Sequence, residues 1–163
     1  MTDLMHYESR AARALVLMQD TRLREFLPIW REAKLADVVL PETNDPSYAS
    51  LDKLLVHVLG AARGYMVWMC EVLELSDPGI KSTPGVDRIE AEAEGYLKHV
   101  LECWRGPLAE VPGSKLEGDE YTSRWGESFT VDSMLEHAVM HPVRHGFQLQ
   151  EMVATSTSAS ATS

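Results

Sequence analysis

Three histidines, His137, His141 and His145, recur at a four-residue step in the run Glu136-His-Ala-Val-Met-His-Pro-Val-Arg-His-Gly146. They are half of the chain's six histidines. Imidazole is the commonest metal ligand and titrates near neutral pH, so the window is the strongest sign of chemistry in the chain. On an α-helix a four-residue step brings successive members to nearly one face, one turn apart. One helix cannot supply all three to one ion. His137 and His145 lie about 12 Å apart along the axis, against a metal–nitrogen bond of about 2 Å. An i, i+4 pair can chelate, and a third ligand must come from another element.

The elements that position these residues read as helices, because apolar residues recur with helical period and strand signals are few. A first helix is expected from about Glu8 to about Lys34, with Pro28 kinking or splitting it. Leu40 to Ser47 reads as a loop by its turn residues. A second helix follows the cap Ser50 and runs to Leu75, with Leu51, Leu54, Leu55 and Val58 on its apolar stripe. His57 flanks that stripe beside Ala61, Gly64 and Trp68, and is the candidate third ligand. A third helix spans about Val86 to Leu108. Aromatics around Gly126 predict a short hairpin between Tyr121 and Thr130. The last helix starts after the cap Thr130 and runs to about Ala154.

On that helix Val131, Leu135, Ala138 and Leu149 mark the apolar centre. His145 is nearest to it, His141 next and His137 furthest out. Pro142 frees the carbonyl of Ala138, either as a tolerated kink or as a bend that aims His141. Arg144, Gln148 and Tyr65 share the phase of the site and are candidate pocket residues. A rival i, i+4 pair, His99 and Cys103, borders the third helix's apolar face. A thiolate–imidazole pair can bind zinc, but cysteine is also a common core residue and no further soft ligands follow.

Four amphipathic helices in 163 residues imply a single all-α domain, a four-helix bundle over residues 1–154. Residues 155–163, all Ser, Thr or Ala, are expected to be a disordered tail. The formal charge of −10, without a basic stripe, argues against nucleic acid and against anionic membranes. No stretch reaches the roughly 18 consecutive apolar residues of a membrane span. Met1 to Arg10 does not read as a secretory signal, and with only two cysteines the expected compartment is a reducing cytoplasm.

The segment Leu54-Leu-Val-His57-Val-Leu, with Met134-Leu-Glu-His-Ala-Val-Met-His141-Pro-Val-Arg-His145-Gly-Phe-Gln148, resembles the DinB/YfiT-like superfamily. The resemblance covers about Leu51 to Val153 and extends to the first helix. It implies an up-down-down-up bundle with a long crossover between the second and third helices. The implied ligands are His57, His141 and His145, holding a divalent ion such as zinc or nickel. His137 matches a position that is often histidine but not normally a ligand. The family's usual run after the last ligand is His-Arg-Gly-Gln. Here it is His145-Gly-Phe-Gln148, with Arg144 before the ligand.

Characterised relatives include thiol-dependent S-transferases and a maleylpyruvate isomerase that uses a low-molecular-weight thiol. The resemblance therefore implies a metal-dependent S-transferase or hydrolase acting on a small molecule, with such a thiol as partner, in a homodimer. The alternative class is a metal-binding stress or interaction protein without turnover. Metal binding is expected to fade as pH falls through the imidazole range, because protonated histidine cannot ligate.

Overall fold

The computed structural model describes residues 6–161. The first five residues of the expected bundle and the last two of the expected tail lie outside the described residues. The chain is mostly helical: α1 (Arg10–Leu35), α2 (Leu51–Val72), α3 (Ile89–Trp104), the short α4 (Gly113–Glu117) and α5 (Val131–Ala161). Its one sheet among the described residues is a hairpin of β1 (Tyr121–Thr122) and β2 (Ser128–Phe129), with Tyr121 opposite Phe129. Gly126, at φ +92°, makes the hairpin's turn, in a region that side chains with a Cβ rarely adopt.

Local chemistry sets the helix starts. Ser9 Oγ accepts from the Ala12 N–H at the head of α1, and Ser50 Oγ accepts from the Lys53 N–H at the head of α2. Thr130 Oγ1 accepts from the Ser133 N–H ahead of α5, at 3.4 Å. Pro28 does not split α1, which continues through it. Phe26, Leu27 and Trp30 are buried on both sides of the proline, and Trp30 Nε1 donates to the Leu51 carbonyl at 2.7 Å. That packing offsets the backbone hydrogen bond which proline forgoes.

The four long helices share one core. α1 packs along α5, α2 packs against α5 and α3, and α1 also touches α3. Tryptophans tie the layers together: Trp104 Nε1 donates to the Ala62 carbonyl, and Trp68 Nε1 to the Thr122 carbonyl. The second of these pins the hairpin onto α2, beside the face that carries His57. No helix among the described residues is long and apolar enough to cross a membrane.

Two elements differ from expectation. Within Leu40–Ser47 and beyond, the chain forms a 3-10 turn, Pro46–Tyr48, capped by Asp45 accepting from the Ser47 N–H. At the other end, α5 continues through the Ser/Thr/Ala run to Ala161 instead of ending near Ala154. The hydroxyls of Thr155, Ser156, Thr157, Ser158 and Ser160 each donate to the carbonyl four residues back. Extending an existing helix avoids the nucleation cost, and this extension buries no face.

Candidate metal centre

The apolar neighbours of each histidine determine where it points. On α2, Leu54, Leu55 and Val58 are buried and turn His57 to the half-buried flank facing α5. On α5, Leu135, Ala138 and Leu149 are fully buried and draw His141 and His145 in with them. The two rings are only 5% and 3% exposed, which is rare for a polar group unless something satisfies it.

The three imidazoles converge. Ring centroids lie 4.7 Å apart for His141 and His145, 4.8 Å for His57 and His141, and 5.3 Å for His57 and His145. One nitrogen from each lies within 4.8 Å of the others, and His57 Nε2 and His141 Nε2 are 3.0 Å apart. Two nitrogens each about 2.1 Å from one ion stand about 3.0 Å apart at a right angle and about 3.4 Å apart at the tetrahedral angle. The observed separation suits ligands that share a cation.

The tautomer of His145 follows from its neighbours. Tyr48 Oη donates to Gln148 Oε1 at 2.7 Å and lies 3.1 Å from His145 Nδ1. A phenol has one proton, and here Gln148 takes it, so Tyr48 accepts from the Nδ1–H of His145. That leaves Nε2 with a bare lone pair, and this atom is buried without a hydrogen-bond partner. A metal-ligating histidine typically donates its other N–H in this way, which fixes ring and tautomer together. His141 lacks such support: its Nδ1 is also buried without a partner.

Electrostatics keep these rings neutral. Burial, reinforced by the neighbouring histidines and Arg144, pushes His141 down to about 2. Burial, then His57 and Arg144, pushes His145 down to about 4. His57 is lowered by burial and Arg144, partly opposed by the carboxylate of Asp45. Unprotonated imidazole is the form able to bind a cation, and burial keeps all three rings in it.

The other expected residues fall around this centre. His137 is not part of the triad. Its ring lies 6.4 Å from His141 and is enclosed by Tyr65, Trp125 and Phe129, with centroids at 5.4, 5.6 and 5.6 Å. Gln148 reaches the centre through Tyr48, and Arg144 remains exposed on the same side. Burial raises the Tyr65 phenol to about 12, so it stays protonated near neutral pH.

The rival pair lies in contact but gathers no third ligand among the described residues. Cys103 Sγ is 3.9 Å from both nitrogens of His99, whose Nε2 already accepts from the Lys81 N–H. Burial raises the Cys103 thiol, away from the thiolate that would bind zinc. Among the described residues, His57, His141 and His145 form the one cluster of three able to hold an ion.

No family model, curated protein or solved structure matches this chain. The site therefore rests on its own geometry. Tyr48 is the residue that sequence reasoning missed. Asp45-Pro46 signals a capped turn, but nothing in the linear pattern indicates that the turn delivers a phenol to a histidine on the last helix.

Proposed function

We propose that this chain is a divalent-metal protein of the DinB/YfiT-like kind, an up-down-down-up bundle whose centre is His57, His141 and His145. The observation that carries the reading is the convergence of three imidazoles, one nitrogen of each within 4.8 Å of the others, with Nε2 of His145 buried and without a partner. Three neutral nitrogen ligands without a fourth side chain leave coordination positions open, the pattern of catalytic rather than closed structural sites. Zinc and nickel both suit imidazole donors.

The bound ion would supply Lewis acidity, making a thiol or water a better nucleophile near neutral pH. The chain's own groups would do the rest. Tyr48 and Gln148 orient His145, Arg144 offers an exposed cation for an anionic group, and the buried rings limit the access of water. The reaction class is transfer of a low-molecular-weight thiol to an electrophilic small molecule, or hydrolysis of such a molecule. The cytoplasm is the proposed compartment. The outer face of α5 exposes Met140 and Phe147, which supports pairing of two copies as a homodimer.

Elemental analysis of tag-free protein, after zinc or nickel loading and desalting, tests the centre. One equivalent of metal is expected in the wild type and in His137→Ala, with tight binding lost in His57→Ala and His145→Ala. Equal loss in all three variants, or no metal in the wild type, would falsify the assignment. Loaded protein with several thiols and an aromatic electrophile then tests turnover. Inactivity across all of them, with no hydrolysis either, favours a binding role.

A further inference from the structure

Next to the triad lies a cavity of about 400 Å³ that the metal centre does not use, lined by His57, Gly64, Tyr65, Trp68, Trp125 and Met134 among others. It shares two walls with the site. His57 belongs to both, and the Tyr65 ring, 5.7 Å from that of His141, stands edge-on to it. An adjoining wall is Trp125, near the turn of the hairpin, 49% exposed and 6.2 Å from Tyr65 in an edge-to-face arrangement. Trp68 is held in place by its bond to the Thr122 carbonyl.

The floor is made of small residues of α2. Glycine is the least favourable residue inside a helix after proline, so each one calls for a reason. Gly60 has one: a Cβ there would lie 3.3 Å from Thr83 Oγ1. At Gly64 a Cβ would meet nothing within 4 Å, and its φ is not positive, so neither packing nor backbone conformation requires glycine. What glycine does there is keep the cavity open.

We propose that this cavity is the pocket for a planar apolar group of the ligand whose reacting end meets the histidine triad. The inference rests on the triad being a metal centre. Aromatic walls meeting edge-to-face accept a flat ring, and the volume lies in the range of small-ligand pockets. Arg124, the one charged side chain in the lining, is paired with Glu71 at 3.3 Å, and the remaining lining is neutral and mostly apolar, which favours an uncharged guest. The substrate class is thus an aromatic or similarly flat apolar compound carrying the thiol or electrophilic carbon.

Cobalt-loaded protein, titrated with benzyl mercaptan and with 2-mercaptoethanol while sulfur-to-cobalt absorption is followed, tests this. Cobalt content is measured in the same samples. Wild type should bind the aromatic thiol at least about tenfold more tightly. Gly64→Leu, a helix-favouring change that fills the cavity, should abolish the preference at unchanged cobalt content. Trp125→Ala, at a half-exposed position, should reduce it. Equal affinity for the two thiols, or a preference that survives Gly64→Leu, overturns the proposal. Absence of cobalt from the wild type would instead sink the metal reading. Naphthalene quenching of tryptophan fluorescence in metal-free protein then decides the cavity alone: binding lost in Gly64→Leu supports it, and no binding in the wild type overturns it.

Discussion

Tyr48→Phe removes one oxygen from the protein and leaves everything else near the centre in place. The ring stays beside that of His145, where the centroids are 5.8 Å apart. The acceptor for the Nδ1–H disappears, and with it the proton donated to Gln148 Oε1. His145 is 3% exposed, so water does not readily replace that acceptor. A buried donor left unpaired costs about 1–3 kcal/mol, or roughly 5- to 150-fold in an equilibrium constant.

Without that acceptor the proton is no longer held on Nδ1 and can occupy Nε2, the proposed ligand atom, which is equally without a partner. Metal binding must then displace it, which weakens affinity. Removal of an outer-shell partner typically weakens a site by about 10- to 100-fold, in agreement. Competition with a fluorescent zinc chelator at pH 7 should therefore show a weakening of about 10- to 100-fold. Global stability should fall by no more than about 1.5 kcal/mol, the usual net value of one hydrogen bond. Gln148→Glu keeps an acceptor for Tyr48 and should preserve or tighten binding. An affinity for Tyr48→Phe within twofold of wild type would refute the assignment of the His145 tautomer.

Acid should act in two ways. Folded-state values of about 4 for His145 and about 2 for His141 lie below the unfolded value of about 6.5. Their contribution to stability is complete above about pH 6.5 and is lost as pH falls through the folded values, so the urea midpoint of metal-free protein should drop between about pH 6.5 and 4. The lowered ligand values also revise the expectation that binding fades through the ordinary imidazole range: zinc should be retained below it, and half-release at about pH 6.5 or above would contradict the burial argument. Cys103→Ala should leave zinc stoichiometry unchanged by elemental analysis, since His99 and Cys103 form no site. Leu149→Ala, one turn beyond His145 and fully buried, should cost about 2–5 kcal/mol in chemical denaturation.

The helices were legible because each buries an apolar stripe, and burial imposes the period that a linear pattern records. Ser50 and Thr130 act at the starts as the expected side-chain acceptors, and Ser9 does the same for α1. The triad was legible for a related reason. His141 and His145 follow the phase of Leu135 and Leu149, and His57 follows that of Leu54 and Leu55. What could not be read depends on contacts between distant segments. Tyr48 lies 97 residues from His145, and no periodicity relates a loop phenol to a helix on the other side of the core. The aromatic enclosure of His137 has the same character, because Trp125 and Phe129 arrive on the hairpin. Local propensity predicts a break at Pro28 and an end near Ala154, but α1 is not split and α5 runs on to Ala161. Buried neighbours sustain the helix in the first case, and in the second the run extends a helix already nucleated.

Tyr48 ends an exposed stretch, Glu42 to Asn44 and the capped turn after it, which reaches the centre through the phenol's hydrogen bonds and the nearby charge of Asp45. Coupling between two sites is reciprocal. Whatever affinity the ion gains from a seated Tyr48, the loop gains in order from a seated ion. Proteolytic nicking near Thr43 would then report occupancy of the centre without any spectroscopic signal from the metal. By the same reciprocity, any molecule that grips this loop adjusts how tightly the ion is held, and a surface segment becomes a dial on a buried site.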